Sequence, residues 1–221
     1  MAVIHHTVLE PTKLELLTHW LPTRPWYRGD SGEPKLAKAG GFRLDDPNGE
    51  VGIEFIVVTD AGGPRPTDYL VPLTYRGAPL EGAEHALVGT MEHGVLGRRW
   101  AYDACQDPVA VTQLLALIGG RVGAQDQNTS DTPDHEVFGS YTGERPVPGD
   151  FGATVTDDRA GTELSTPSGS LLRLHRVLSP VPDGSSSPVG EASGSVVGSW
   201  QLPDGTRARG LFAVLHHNPQ P

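Results

Sequence analysis

The sequence has a single cysteine and no long apolar run, and each absence excludes a class of protein. Cys105 stands alone among 221 residues, so no disulfide can form within the chain. No apolar stretch approaches the roughly 18 residues that a helix needs to span a bilayer. The N-terminal residues lack the basic segment and apolar stretch of a secretory signal. We therefore expect a soluble, cytoplasmic protein.

The chain has few apolar residues, and its acidic residues outnumber its basic ones. Apolar residues make up 37% of the chain, below the usual roughly 45–50%, which predicts a modest core. Glycine and proline number 28 and 20, so many turns and a sheet-rich architecture are expected rather than a helix bundle. The formal charge of −10 disfavours nucleic acids and anionic membranes as partners, because both are polyanions.

Two helices are signalled within the first 120 residues. Thr12 and Glu15 are spaced as in a capping box, and the apolar residues that follow recur at helical spacing until Pro22. The second helix has Asp107 as its N-cap and Pro108 at its first position, the place where proline is best tolerated.

Five strands are predicted between these helices. Asn48-Gly49 is a strong tight-turn signal and makes a hairpin of the two strands around it. Pro72 interrupts the third strand, which suggests an edge position. The strands are expected near residues 35–44, 51–59, 70–73, 86–91 and 98–104. The prediction for 1–120 is an α+β fold, an antiparallel sheet with the helices against one face.

The rest of the chain changes character. Residues 121–165 contain nine acidic residues and few large apolar ones, which predicts a linker or surface excursion with one strand near 151–156. Residues 166–221 are predicted to form a second, small β-rich region. Its strand near 170–178 is followed by a flexible run to 194, and Pro203-Asp204-Gly205 marks a final hairpin.

Few residues suggest catalysis or metal binding. The adjacent pairs His5-His6 and His216-His217 are expected at the surface or half-buried, because neighbouring side chains on a strand diverge. Cys105 could be a low-pKa thiol at a helix start, but a small buried residue is the favoured interpretation. Asp45-Asp46 and Asp157-Asp158 are expected in solvated turns. Neither a nucleophile elbow nor a phosphate loop is found, and no catalytic residue, metal or cofactor is predicted.

The run RPWYRGD, residues 24–30, permits two interpretations. Its aromatic side chains could form a ligand platform, or they could fill one end of a small core. The preceding helix favours the second. Trp20, Leu21 and Trp26 are then expected to close a helix–sheet core, with Tyr27 half exposed and its hydroxyl near solvent.

Three separated runs resemble the N-terminal cap domain of bacterial maltokinases. They are HWLPTRPWYRGD at 19–30, DYLVPLTYRGAPLEGAEHALVGT at 68–90 and RRWAYDACQDPVAVTQLLALI at 98–118. The signature residues that carry the resemblance are Trp20, Arg24, Trp26, Tyr27, Pro72, Tyr102, Asp103, Asp107 and Pro108. It implies a cystatin-like fold over residues 1–120, with a helix packed across a curved antiparallel sheet.

A weaker resemblance continues into residues 166–221. The run SLLRLHRVLSPVPDG is similar to the nucleotide-binding strand of the kinase intermediate subdomain, with Arg173 at the position of the ATP-contacting lysine. Arginine is not equivalent to lysine there, since its fork differs in shape and hydration. The family's helix with a partner glutamate is replaced by residues 182–190, and Glu191 is the next glutamate. The family's catalytic lobe, with its catalytic aspartate and metal ligands, does not follow, so we expect no kinase activity from this chain alone.

The resemblance implies a non-catalytic cap-like protein that binds another protein. The expected partner is a kinase or an enzyme of glucan or trehalose metabolism. The alternative is a small-ligand binder that keeps a remnant pocket for nucleotide or sugar within 165–217. An enzyme of unrelated chemistry is less favoured, because no acid–base pair or activated nucleophile can be named.

Overall fold

A computed structural model describes residues 8–30, 32–144, 146–151, 154–181 and 192–217. The interpretations placed on His5-His6, on residues 182–190 and on Glu191 lie outside these ranges. The helices are α1 (Lys13–Trp20) and α2 (Pro108–Ile118). The strands are β1 (Leu9–Glu10), β2 (Leu36–Leu44), β3 (Gly52–Asp60), β4 (Thr67–Arg76), β5 (Leu87–His93), β6 (Gly97–Asp103), β7 (Phe138–Tyr141), β8 (Thr154–Asp157), β9 (Gly161–Ser165), β10 (Leu171–His175), β11 (Gly194–Gln201) and β12 (Arg207–His216).

These strands form one antiparallel sheet in the order β1-β5-β6-β4-β3-β2-β11-β12-β10-β9-β8, with β7 also paired to β11. Two helices on a mostly antiparallel sheet confirm the α+β class. The cystatin-like and kinase-subdomain descriptions remain predictions. Within the described ranges, no helix is long and apolar enough to cross a membrane.

Both helices begin at the residues that the sequence predicted. Thr12 and Glu15 cap α1 reciprocally, since the Thr12 amide donates to Glu15 Oε2 at 2.7 Å and the Glu15 amide donates to Thr12 Oγ1 at 3.3 Å. Asp107 Oδ1 accepts from the Val109 amide at 3.0 Å, and Pro108 opens α2. Each cap satisfies amides that a helix start otherwise leaves unpaired.

The hairpin predicted around Asn48-Gly49 is confirmed, with β2 and β3 paired from Leu44↔Ile53 to Leu36↔Asp60. Gly49 has φ +70°, in the left-handed region that glycine enters without a Cβ clash.

The edge position predicted from Pro72 is wrong. β4 lies inside the sheet, with Pro72 opposite Phe55 of β3. On its other side, β4 pairs with β6 only from Leu73 onward, and the Leu70 amide donates to the Arg176 carbonyl at 3.0 Å. Pro72 thus lies in the gap between two different partners, where a missing N–H breaks no ladder bond.

The prediction that both helices lie against one face is also wrong. Side chains alternate along β3, and the two sets belong to different cores: Ile56 and Val58 pack with α1, whereas Phe55 and Val57 pack with α2. We call these the α1 core and the α2 core. The apolar run in β3 is continuous because both faces of the strand are covered.

Residues 121–165 are not a linker or surface excursion. They supply β7, β8 and β9, which pair with β11, β9 and β10 respectively. Ala124, Val137, Phe151 and Leu164 from this segment are buried in the α2 core. Only β8, which overlaps the strand expected near 151–156, was predicted. The other two strands are short and show no alternation of apolar and polar residues, and their pairing rather than their composition defines them.

The predicted strands of the last region are present as β10, β11 and β12. Leu172 and Leu174 of β10 are buried, and Arg176 just beyond it continues the same alternation and is 0% exposed. Trp200 of β11 pairs with Gly40 of β2, and its indole N–H donates to Asp68 Oδ2 at 2.9 Å. This contact joins the later strands to the first part of the sheet.

Candidate functional site

The signature aromatics lie together where α1 ends. The ring centroids of Trp20 and Trp26 are 5.8 Å apart with the planes at 62°, and Trp26 lies 6.0 Å from Tyr69. Trp26 is 0% exposed and Trp20 is 7% exposed. The Arg24 guanidinium covers the Trp20 ring at 4.8 Å. These side chains fill the α1 core, as the favoured interpretation of RPWYRGD predicts.

Tyr27 is half-buried, as predicted, and its ring stacks on Tyr69 at 5.7 Å. Its hydroxyl also has a partner within the protein. It donates to Asp60 Oδ2 at 2.8 Å. Burial and the Asp60 carboxylate raise the pKa of the Tyr27 phenol. Asp60 Oδ1 accepts from the Lys35 and Gly62 amides, so this carboxylate fixes the loops around the aromatic cluster.

A buried ion pair connects the signature residue Asp103 to Arg176. Arg176 Nη2 donates to both Asp103 oxygens, at 2.7 and 2.6 Å, and Arg176 Nε donates to Thr162 Oγ1 at 2.7 Å. The guanidinium carbon lies 5.1 Å from the centre of the Trp26 ring. Burial by itself lowers the pKa of Arg176, but the Asp103 charge outweighs it and the pKa is raised. Arg176 therefore stays charged in the interior.

The remaining signature polar groups also have structural partners. Asp107 is 0% exposed and binds Arg76 through two bonds, Nε to Oδ2 at 2.7 Å and Nη2 to Oδ1 at 2.8 Å. These bonds to Asp107 raise the pKa of Arg76. The Tyr102 hydroxyl accepts from the Leu80 amide at 2.9 Å. These bonds hold β4, β6 and α2 together and occupy the signature polar groups with partners inside the protein.

Cys105 is placed as a packing residue. It is 3% exposed, and Arg176 Nη2 lies 3.1 Å from its sulfur. Burial raises the pKa of the Cys105 thiol well above its ordinary value. A protonated thiol is a poor nucleophile, so the position at the start of a helix does not activate it.

Arg173 is occupied by carboxylates of the neighbouring strands. Its Nη2 donates to Asp158 Oδ1 at 2.8 Å and to Oδ2 at 2.6 Å, and its Nη1 lies 3.6 Å from Glu163 Oε2. The hydrogen bonds from Arg173 lower the pKa of Asp158 to about 2. A phosphate at the predicted nucleotide position would have to displace these carboxylates.

Most of the other candidate positions lie as the sequence predicted, and Asp46 does not. His216 is exposed and His217 half-buried, as predicted. Asp157 accepts from Thr162. Asp46, however, is 4% exposed and accepts from the amides of Asn48, Glu50 and Val51, so it is a buried turn residue rather than a solvated one. In the described part of the chain, no three His, Cys, Asp or Glu residues are grouped to hold a metal ion.

Sequence reasoning missed a further buried charged residue, Glu54. Glu54 lies in the apolar run of β3, is 3% exposed, and accepts from the Lys13 ammonium and from the Tyr75 hydroxyl. The signal was present in the sequence, because a single carboxylate within a buried strand needs a partner. Which lysine and tyrosine would supply it depends on the pairing of α1, β3 and β4, which the sequence does not encode locally.

Comparison with known proteins is consistent with this geometry. Residues 20–107 match the family model of the maltokinase N-terminal cap domain. The resemblance predicted from the sequence is thereby confirmed over this segment, which holds every signature residue except Pro108. No curated protein matches the chain.

Proposed function

We propose that this protein is a non-catalytic, cap-like module that binds another protein, either a sugar kinase or an enzyme of glucan or trehalose metabolism. The match of residues 20–107 to a maltokinase cap domain carries the proposal, because a cap domain is expected to associate with a kinase domain. We also propose that the cap-like part is cystatin-like, that residues 166–221 derive from a kinase intermediate subdomain, and that the protein acts in the cytoplasm.

The chemistry of the signature residues supports a role without catalysis. Asp103 and Asp107 are held by Arg176 and Arg76, and Cys105 carries a raised pKa. General acid–base or nucleophilic catalysis needs a group that can exchange protons with substrate. Ion-paired carboxylates and a buried thiol instead suit a rigid scaffold.

Binding and activity are tested separately. The protein is immobilised, and purified maltokinase and glucan-active enzymes are passed over it in interferometry. Saturable binding to one of them is expected. The protein alone is also assayed for ATP-dependent phosphorylation of maltose, and no product is expected. Failure to bind any of these enzymes contradicts the binding role, and product formation by the protein alone contradicts the non-catalytic role.

A second candidate is the binding of a small ligand, nucleotide or sugar, and a surface cleft favours it. The cleft has a volume of about 220 Å³ and is lined by Arg28, Asp30, Asp60, Arg65 and Thr67 among others. It lies beside the aromatic cluster rather than within 165–217. Calorimetry with ATP, ADP, maltose and glucosamine tests it, with Arg65→Ala as the matched variant. Heat that Arg65→Ala abolishes supports this candidate, and no heat from any ligand removes it.

A further inference from the structure

An apolar row crosses the outer face of β7, β11 and β12. Phe138 is paired with Val197, and Val197 with Leu211. Residues directly opposite each other in antiparallel strands share one face, so the three side chains lie side by side. Phe138 is 52% exposed, and the other two are half-buried. We call this row, with Arg207 and Arg209 beside it, the open sheet face.

The opposite face of the same strands is the one that packs inward. A Cβ placed on Gly139 would lie 2.0 Å from the Leu117 carbonyl oxygen of α2, so that residue faces the helix and its neighbour Phe138 faces away. Trp200 and Phe212 from β11 and β12 belong to the α2 core. In the ranges that the structure describes, neither α1 nor α2 covers the open sheet face.

Arg209 gives this apolar row a polar edge. Its guanidinium carbon lies 5.6 Å from the centre of the Phe138 ring, and no carboxylate within the described residues pairs with it. The adjacent Arg207 is paired with Glu136, so those two charges offset each other and Arg209 supplies the local positive charge. A guanidinium that lies over a ring keeps its N–H groups available to a carboxylate.

We propose that the open sheet face is a docking site for an acidic segment of a partner protein. An apolar side chain of that segment packs on Phe138, Val197 and Leu211, and a neighbouring carboxylate binds Arg209. Aromatic and arginine side chains are the residues that most often dominate binding energy at interfaces. That the partner is a protein rests on the proposed function; the chemistry of the segment follows from the face itself.

Charge explains why an acidic segment would be directed to this place. The chain carries a formal charge of −10, so most of its surface repels a polyanionic segment. Arg209, which has no carboxylate partner among the described residues, is then the point where the interaction becomes attractive. Complementary charge of this kind orients a partner and accelerates its association. A second copy of this chain would bring the same excess of negative charge and is disfavoured for that reason.

Binding is measured by fluorescence anisotropy with two labelled probes. One peptide alternates leucine with glutamate, and the other has lysine in place of glutamate. We expect the wild-type protein to bind the acidic peptide. It should bind the basic peptide at least about tenfold more weakly. Phe138→Ser and Arg209→Glu should each lower the affinity for the acidic peptide by about tenfold or more. Arg209→Lys keeps the charge but loses the planar fork, so it should weaken binding by less.

The control variant is Val95→Ser, at an exposed apolar position that is 60% accessible in the turn between β5 and β6. It should bind as the wild type does. Thermal denaturation tests whether each variant is folded. If Phe138→Ser does not fold, the affinity of Arg209→Glu for the acidic peptide decides whether the proposal holds. Equal affinity for the two peptides, no binding by the wild type, or equal loss in Val95→Ser and Phe138→Ser would overturn the proposal.

Two further outcomes separate this proposal from the proposed function and from self-association. Binding of the acidic peptide without binding of any sugar kinase or glucan-active enzyme removes the proposed function and leaves the open sheet face standing. If the wild type is a dimer in sedimentation velocity and Phe138→Ser is a monomer, a second copy of the chain occupies the face. That result would overturn the proposal that an acidic segment of a partner protein binds there.

Discussion

Trp26 illustrates how a residue that looks like a binding platform can be a packing residue. Its ring is fully buried, contacts Trp20 and Tyr69, and is covered by the Arg176 guanidinium. We expect Trp26→Ala to lower the free energy of unfolding by about 3–5 kcal/mol, since truncation leaves a cavity among these groups. Tyr27→Phe removes only the hydroxyl bond to Asp60 and should cost about 1 kcal/mol. Urea denaturation measures both, and an unchanged midpoint for Trp26→Ala would contradict its role in the core.

The ion pair of Asp103 and Arg176 should be strongly coupled, because both side chains are nearly inaccessible to water. Removing one partner leaves a buried charge, so Asp103→Asn and Arg176→Met should each cost about 3–5 kcal/mol. The double variant should cost clearly less than the two single losses added together. Denaturant titration of all four proteins gives this double-mutant cycle, and additive losses would show that the pair is not coupled.

Glu54 gives stability a dependence on acid. Burial by itself raises the pKa of its carboxyl, but Lys13 and Tyr75 outweigh burial, so the pKa in the folded protein lies below the ordinary value of a glutamate. The folded state binds this proton less tightly than the unfolded state, so the contribution is fully present well above the ordinary glutamate pKa and is lost as the pH falls through the folded-state pKa. As the pH falls through this acidic range, the free energy of unfolding should therefore decrease more steeply in the wild type than in Glu54→Gln.

Lys13→Met tests the cause of this pH dependence. It removes the ammonium that lowers the pKa of Glu54, so the slope should decrease as it does in Glu54→Gln. Lys35→Met, at an exposed position in front of β2, is the matched control and should keep the wild-type slope. A wild-type slope in Lys13→Met would mean that the acid dependence arises from another carboxylate.

At the scale of elements, Asp107 has two functions that substitution can separate. It caps α2 through the Val109 amide and binds Arg76 through both carboxylate oxygens. Asn keeps an oxygen for the cap and loses the charge, whereas Ala loses both. Asp107→Ala should therefore be less stable than Asp107→Asn by about 1 kcal/mol, the usual contribution of an N-cap. Equal midpoints in thermal or urea denaturation would show that the cap contributes nothing beyond the ion pair.

Local signals predicted the elements well where one short stretch contains the whole cause. The caps at Thr12 and Asp107 and the turn at Gly49 are of this kind. Errors arose where the cause is distant in sequence. Pro72 is tolerated because β4 changes partner there, and β7 and β9 exist because β11 and β10 lie beside them. The continuous apolar run of β3 did carry the information that helices cover both faces.

The candidate site was predictable in its residue types and not in its connections. Three separated runs identified the signature residues, and the match of residues 20–107 to the cap-domain model confirms the resemblance over that segment. Asp103 and Asp68, however, also bind Arg176 and Trp200, and these two partners lie outside that segment. The positions of these partners follow from the topology of the whole sheet. No local spacing in the sequence predicts which residue each aspartate binds.

The whole molecule should unfold as one cooperative unit, although the sequence suggested a division into 1–120, 121–165 and 166–221. The α2 core contains Phe55 and Val57 of β3 together with Leu174 of β10 and Phe212 of β12. Backbone bonds run from Leu70 to Arg176 and from Leu178 to Asp68. Separate transitions need separate cores, because a domain owes its cooperativity to its own apolar interior.

Urea unfolding followed by tryptophan fluorescence and by far-ultraviolet circular dichroism tests this cooperativity. We expect coincident transitions, and native-state hydrogen exchange should give amides of β3 and β12 the same limiting free energy of opening. Leu174→Ala should lower both transitions together by about 2–5 kcal/mol, the usual cost of truncating a buried leucine. If it destabilises β12 while β3 keeps its protection, the cap-like part is a separate domain and the shared core does not couple the two.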